Sequence, residues 1–144
     1  MVKKLLPPTK VYLAKSTIKG AGRGMFAALP IKKGETIEIS PVIEILDMGD
    51  LEKISQTILK HYYYRWDEGQ IAECLGYGAI YNHSYEPNAT YIKHFDTKTI
   101  EFLALRDIQK DQEIFTNYNN GDSESKSSIS WIDDIPDYNH SNKR

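Results

Sequence analysis

The sequence contains one cysteine, Cys74, and no apolar run long enough to cross a membrane. A lone cysteine cannot form an intramolecular disulfide or build a zinc site, so we expect neither a disulfide framework nor a metal. A membrane helix needs roughly 20 apolar residues, and Pro7 and Pro8 interrupt the N-terminal run, which is not typical of a signal peptide. We therefore expect a soluble intracellular protein, cytoplasmic or, in a eukaryotic host, nuclear.

The chain also lacks a strong excess of charge of either sign. Its 18 lysines and arginines against 20 aspartates and glutamates give a formal net charge of −2. This balance gives no reason to expect direct binding to nucleic acid or to a membrane surface, since both attract strongly basic proteins. A chain of 144 residues with 40% hydrophobic content can form one domain with its own core.

Turn residues separate short runs of β-branched and aromatic residues, which predicts a mostly β domain. Pro41 predicts a bend or a sheet edge within one of these runs. Asp96, Thr97 and Lys98 separate two runs as the turn of a hairpin does. Residues 31–37 and 108–114 share a pattern that predicts tight turns leading into core strands. The predicted strands cover residues 10–14, 25–28, 36–45, 75–81, 90–95, 99–105 and 114–118.

One helix is predicted over residues 51–66, where apolar side chains recur with i, i+3, i+4, i+7 spacing. Asp50 precedes the first of them and is expected to cap the helix. After Tyr118 the composition changes to Asn, Gly, Ser and Asp. Residues 121–144 are therefore expected to be a flexible C-terminal segment, part of which docks over the active site through Trp131.

Three segments carry the candidate chemistry. Glycines alternate at positions 20, 22 and 24, which allows positive φ angles and a close approach to a ligand. Asn82 and His83 follow a mostly apolar run and offer amide and imidazole groups. Tyr118 ends a predicted strand, and its phenol is uncharged at neutral pH. Each segment alone also has a reading without a ligand, namely a hairpin turn, a satisfied buried pair and a packed aromatic ring.

The order of the segments is more specific than any one of them. A glycine turn, a helix-containing insert, Asn-His-Ser-x-x-Pro-Asn at 82–88 and Glu-Ile-x-x-x-Tyr at 113–118 resemble the SET-domain protein-lysine methyltransferases over about residues 11–120. The similarity is greatest to the small stand-alone viral and bacterial members. It implies a SET domain at 1–120, with the insert at about 47–75, built of small curved sheets with a pseudoknot.

The resemblance also implies an activity, the transfer of a methyl group from S-adenosylmethionine to a lysine of a protein or peptide, with histones among the candidate substrates. Tyr118 matches the catalytic tyrosine, and Tyr91 matches a second tyrosine of the lysine channel. No metal is implied, because the cysteine-rich segment of many members is absent. The residues expected to hold the cofactor are Gly20, Ala21, Gly22, Arg23, Asn82, His83, Tyr118 and Trp131.

Two points are left open by the sequence. Thr116 occupies the position, two residues before Tyr118, where the aromatic residue of many members governs how many methyl groups are added, so the product is undecided. Small relatives often form homodimers, but no residue here identifies an interface. The alternative to the enzyme is a SET-like module that binds a peptide without transferring methyl.

Overall fold

The computed structural model describes residues 4–129, and this part of the chain folds into nine β-strands, one α-helix and two short 3-10 helices. The strands are β1 (Val11–Lys15), β2 (Arg23–Ala27), β3 (Thr36–Ile45), β4 (Tyr64–Arg65), β5 (Ile71–Cys74), β6 (Asn82–His83), β7 (Ala89–His94), β8 (Thr99–Ala104) and β9 (Glu113–Thr116). The helix α1 covers Met48–Ser55, and the 3-10 helices cover Ile58–His61 and Asp67–Gly69.

The strands form two sheets, with the orders β1-β2-β9-β6 and β4-β5-β3-β8-β7. All pairs are antiparallel except β6 with β9, which run parallel. The long strand β3 pairs with β8 up to Pro41 and with β5 from Val42 onward. The bend predicted at Pro41 coincides with this change of partner.

The predicted hairpin and the two predicted turns are confirmed. β7 and β8 flank residues 95–98, where Lys98 adopts a φ of 52°. Ile31 and Ile108 form a bridge with backbone hydrogen bonds of 2.9 and 2.7 Å, so the two turns lie side by side. Both isoleucines are buried, and each turn leads into a core strand, β3 or β9.

The prediction of one helix over 51–66 is wrong in its extent. The helix α1 ends at Ser55, whose hydroxyl donates to the Leu51 carbonyl, and it is capped by Asp47 rather than Asp50. No residue of α1 is buried. Tyr64 instead joins a sheet and packs edge-on against Tyr91, with 5.0 Å between ring centroids. Tertiary packing of aromatic side chains has overridden the local apolar spacing.

The predicted strand over 75–81 is also wrong. The strand β5 ends at Cys74, and a turn follows in which Gly76 has a φ of 68°. At Gly78 a Cβ atom would lie 2.1 Å from the Cys74 Sγ, so only glycine fits against the preceding strand. The chain becomes extended again at Asn82 and His83, which are themselves the strand β6. The last predicted strand ends at Thr116, so Tyr118 lies two residues beyond it.

The helices described between residues 4 and 129 are too short and too polar to span a membrane.

Candidate active site

The parallel pair β6–β9 brings the two main polar segments together. Asn82 lies opposite Phe115 and His83 opposite Thr116. Beyond this pair the Tyr118 backbone N–H donates to His83 Nδ1 at 3.0 Å, and the Tyr118 hydroxyl donates to the Tyr81 carbonyl at 2.6 Å. The predicted proximity of Tyr118 to residues 82 and 83 is therefore confirmed, although the segments are more than thirty residues apart in sequence.

Asn88, the last residue of the first motif, reinforces this junction. Its side-chain amide donates to the Glu113 carbonyl at 2.8 Å, and its side-chain oxygen accepts from the Phe115 N–H at 2.8 Å. The side chain is 2% exposed. Asn88 thus forms the backbone-like hydrogen bonds that a strand neighbour would form, which explains why an amide side chain is needed there. Asn88 belongs to the motif at 82–88, but no role was predicted for it from the sequence.

We call residues 20–24 the glycine turn. Glu113 connects the first motif to the loop that precedes this turn. Its buried carboxylate accepts from Ser16 Oγ at 2.7 Å, from the Thr17 N–H at 2.7 Å and from the Thr17 hydroxyl. It also accepts from Asn82 Nδ2 at 3.1 Å. Sequence reasoning missed this role, because Glu113 was named only as the first residue of the motif at 113–118, and Ser16 and Thr17 were not considered at all.

The three glycines of the turn have different reasons to be glycine. Gly20 and Gly22 have φ angles of 85° and 74°, which other residues rarely adopt. Gly24 lies in β2, where a Cβ atom would come within 2.1 Å of the Glu113 Oε1. A Cβ atom at Gly22 would meet nothing within 4 Å, so this part of the turn faces open space.

The side chain of Asn82 holds the glycine turn by hydrogen bonding. Its amide Nδ2 donates to the Arg23 carbonyl at 2.9 Å and approaches Ser16 Oγ at 3.2 Å. The amide N–H groups that were expected to bind a cofactor are therefore used to hold the glycine turn. Ala21 and Tyr118 both pack against the small cluster formed by Ile18 and Ile129, so the turn and the tyrosine share one cluster.

On its other side Tyr118 lines a cavity of about 540 Å³, which we call the tyrosine cavity. Burial raises the pKa of Tyr64, Tyr81 and Tyr91 above the ordinary phenol value, so these rings stay neutral at physiological pH. Tyr91 was predicted to be a second tyrosine of the lysine channel, and the structure places it in the lining of the same cavity as Tyr118. The tyrosines that surround the cavity are Tyr62, Tyr63, Tyr64, Tyr81, Tyr91 and Tyr118.

A buried acid lies behind the tyrosine cavity. Glu38 on β3 accepts from the Tyr81 hydroxyl at 2.5 Å and from Ser40 Oγ at 2.9 Å. Burial raises the pKa of the Glu38 carboxyl, and the hydrogen bonds from Tyr81 and Ser40 oppose that rise. Glu38 thus anchors the side chain of Tyr81, and the main-chain carbonyl of Tyr81 accepts the hydrogen bond from the Tyr118 hydroxyl. In the sequence, Glu38 looks like an ordinary solvent-facing residue of an alternating strand.

The chain after Tyr118 returns across the site. The Ser127 carbonyl accepts from the Tyr85 hydroxyl at 3.0 Å, and Lys126 Nζ donates to the Tyr85 carbonyl. Ile129 packs against Ile18 next to the glycine turn. Residues 126–129 therefore contact both Tyr85 of the first motif and the cluster at Ile18. The predicted contact of Trp131 lies outside the described residues.

Thr116 occupies the position that was expected to govern how many methyl groups are added. It is fully buried. Its hydroxyl has no hydrogen-bond partner among residues 4–129. Within the same range, no group of three or more His, Cys, Asp or Glu side chains is arranged to hold a metal ion.

Comparison with known proteins agrees with this geometry. A sequence model of the SET domain matches residues 22–119, which include residues 22–24 of the glycine turn, β6, β9 and Tyr118. The chain belongs to the SET-domain family. Its predicted fold class is confirmed, since the described part is mostly β with curled sheets and one α-helix, as in solved SET structures.

Individual relatives extend this similarity. A Schizosaccharomyces pombe histone-lysine N-methyltransferase named as H3 lysine-37 specific is 37% identical over 98 residues, which are 67% of this SET chain and 66% of that protein. An Aspergillus oryzae enzyme named as H3 lysine-4 specific is 34% identical over 80 residues, or 52% of this chain and 6% of its own length. The crystal structure of a Plasmodium falciparum candidate histone methyltransferase superposes with a TM-score of 0.60 at 34% identity, covering 77% of this chain and 94% of that one. The chain thus spans just under two thirds of the first relative and a small part of the second.

Proposed function

We propose that this SET protein is an intracellular enzyme that transfers a methyl group from S-adenosylmethionine to the side-chain amine of a lysine in a protein substrate. The observation that carries the proposal is the position of Tyr118. The residue packs against the same Ile18–Ile129 cluster as Ala21 of the glycine turn, and it also lines the tyrosine cavity. A donor of methyl and an acceptor amine could therefore approach it from opposite sides.

The glycine turn fits the methionine end of the cofactor. Positive φ angles at Gly20 and Gly22 turn the backbone, and the space next to Gly22 is open. Backbone groups of Ala21, Gly22 and Arg23 are the candidate contacts there. Asn82 holds the turn through the Arg23 carbonyl, and the Glu113 carboxylate lies against Gly24. Asn82 and His83 would contribute chiefly through main chain, and the bound cofactor would supply an electrophilic methyl group on a sulfonium.

The tyrosine cavity fits the lysine. A free lysine amine has a pKa of about 10.4 and is charged at neutral pH, whereas the acceptor must be a neutral amine. Neutral buried phenols such as Tyr64 and Tyr91 solvate an ammonium less well than water does, which favours loss of the proton. The Tyr118 hydroxyl donates a hydrogen bond to the Tyr81 carbonyl, which sets its direction, and a phenol oxygen can also accept a hydrogen bond from a substrate amine and orient it. Most of the catalysis would then be positioning.

Histones are candidate substrates because the curated relatives are named for histone H3. The test is incubation of the purified protein with S-adenosylmethionine and with core histones or a peptide array, followed by measurement of the mass of each product. A shift of about 14 Da per transferred methyl on a lysine is expected. Binding of peptides with no mass shift, combined with no binding of S-adenosylmethionine at millimolar concentration in calorimetry, would instead favour the peptide-binding module.

A further inference from the structure

A second cavity of about 410 Å³, the side pocket, opens beside the tyrosine cavity. Arg65, Tyr91 and Asn120 line both cavities, so the side pocket continues outward from the place where the target lysine is expected. The proposed transfer uses only Tyr91 of these three residues. The side pocket is therefore a candidate for contacts with the parts of a substrate that flank the lysine.

The strand β7 leads from one cavity to the other. Side chains alternate along a strand, so Tyr91, Lys93 and Phe95 project from the same face at intervals of about 7 Å. All three line the side pocket. Phe95, directly after β7, packs edge-on against Trp66, with ring centroids 4.8 Å apart. The pocket thus combines an apolar wall with the amine of Lys93.

The charge in the side pocket is mainly positive. Burial and the nearby Arg65 guanidinium both lower the pKa of the Lys93 amine. The amine donates to the Asn120 side-chain oxygen. Between residues 4 and 129, neither Lys93 nor Arg65 forms an ion pair with a carboxylate, although Asp67 also lines the pocket. The pocket thus contains two cationic side chains and one carboxylate, which leaves an excess of positive charge.

We propose that the side pocket binds an acidic side chain of the substrate, located two or three residues from the lysine that enters the tyrosine cavity. The spacing follows from the advance of about 3.3 Å per residue in an extended peptide and the distance along β7 from Tyr91 to Lys93. A guanidinium and an ammonium suit a carboxylate or a phosphate, and the Trp66–Phe95 wall strengthens the attraction by excluding water. The proposal rests on the proposed function, because the lysine channel defines the starting point.

The test uses short peptides with one central lysine in an otherwise uncharged frame. Glu, Gln, phosphoserine or serine is placed in turn at each of the three positions on either side, and the dissociation constant of each peptide is measured by calorimetry. We expect one position, two or three residues from the lysine, at which Glu binds about 3- to 10-fold tighter than Gln. Comparison of the Glu and phosphoserine peptides then tells a carboxylate from a phosphate ligand.

Charge reversal identifies the pocket. In Lys93→Glu the preference at that position should invert, so that Gln there binds better than Glu, and in Arg65→Gln the preference for Glu should weaken. The matched control is Lys110→Glu, an exposed residue in the turn before β9, which changes the net charge equally and should leave the preference as in the wild type. Equal affinity for Glu and Gln at every position, no binding of any peptide, or an equal change in Lys110→Glu would overturn the proposal.

Methyl transfer is measured separately on the same peptides. A charge preference in binding without any methylation would contradict the proposed function and leave the side pocket as an acidic-peptide site. Methylation that is insensitive to acidic residues would contradict the side pocket and leave the enzyme assignment in place.

Discussion

The hydroxyl of Tyr118 is held by the protein before any ligand is present. It donates to the Tyr81 carbonyl at 2.6 Å, so its direction is fixed by a main-chain group that the ring of Tyr81 in turn anchors at Glu38. A phenol held in this way can act as an acceptor of defined direction without being ionised. Under the proposed function, the oxygen and not the ring is therefore the part of Tyr118 that takes part in the transfer.

Tyr118→Phe should therefore lower turnover by roughly 10²-fold or more, by analogy with the loss of other preorganised polar groups, while the affinity for S-adenosylmethionine changes little. Single-turnover methylation and calorimetry measure the two quantities. Tyr12→Phe removes a surface hydroxyl that donates to Asp111 and serves as the control, with turnover unchanged. A Tyr118→Phe enzyme of wild-type rate would remove the hydroxyl from the mechanism.

The hydroxyl of Thr116 gives a prediction about stability at a single atom. Because it is buried without a partner in the described part of the chain, Thr116→Val should raise the free energy of unfolding by about 1 kcal/mol, measured by urea denaturation. Thr99 is the matched control, since it is also buried but its hydroxyl is hydrogen-bonded to that of Thr97 at 2.9 Å. Thr99→Val should lower the free energy by a similar amount. Loss of stability in both variants would show that Thr116 has an internal partner.

At the scale of the element, the sequence predicted the pieces whose determinants are local. The β7–β8 hairpin and the turns before β3 and β9 depend on residues within a few positions of each other, such as Gly34 and Asp111 with their positive φ angles. The extent of α1 was not predictable in the same way. Tyr64 leaves the helical pattern because its ring packs on Tyr91, a neighbour that local spacing cannot reveal.

The candidate site shows the same division. Gly22, Asn82 and Tyr118 were identified because their order resembles a known family. The residues that hold them, Glu113 and Glu38, were missed, because a carboxylate in an alternating strand is expected to face solvent. Their burial arises from partners far along the chain, such as Ser16 for Glu113 and Tyr81 for Glu38.

The strand β3 gives a prediction of pH dependence through Glu38. A carboxyl whose pKa is raised by folding favours the folded state most below its unfolded pKa, and this contribution is lost as pH rises through the raised folded pKa. The stability of the wild type relative to Glu38→Gln should therefore decrease from about pH 4.3 upward, starting at the ordinary glutamate pKa. Thermal unfolding of both proteins across that range measures the difference. The exposed Glu52→Gln pair is the control, and an increase with pH for Glu38 would contradict the assignment.

For the whole molecule, the proposed function makes folding and ligand binding interdependent. Asn82 from β6 holds the glycine turn at Arg23, and Glu113 from the last strand holds both Asn82 and the loop before the turn, so a ligand on the turn stabilises contacts between distant parts of the chain. A ligand that binds only the folded state stabilises it by about 2.7 kcal/mol at 100 times its dissociation constant.

S-adenosylmethionine at 100 times its dissociation constant should raise the midpoint of thermal unfolding by several degrees. The increase should grow with the logarithm of the ligand concentration. Adenosine triphosphate, which carries the same nucleoside but no methionine, is the control and should leave the midpoint unchanged. Glu113→Gln should reduce the shift, because the loop before the glycine turn loses the carboxylate that binds Ser16 and Thr17. Equal shifts with both ligands would mean that the glycine turn does not recognise the methionine part.

The hydrogen bond between Ser16 and Glu113 joins residues 97 positions apart. During synthesis, the ribosome releases the first of these long before the second, so the nascent chain cannot close its ligand site until β9 has emerged. Until then β2 has only β1 beside it and exposes a free edge, which is a template for aggregation. Translation arrested before β9 should therefore yield a fragment that depends on chaperones, whereas release a few dozen codons later should yield a protein that does not.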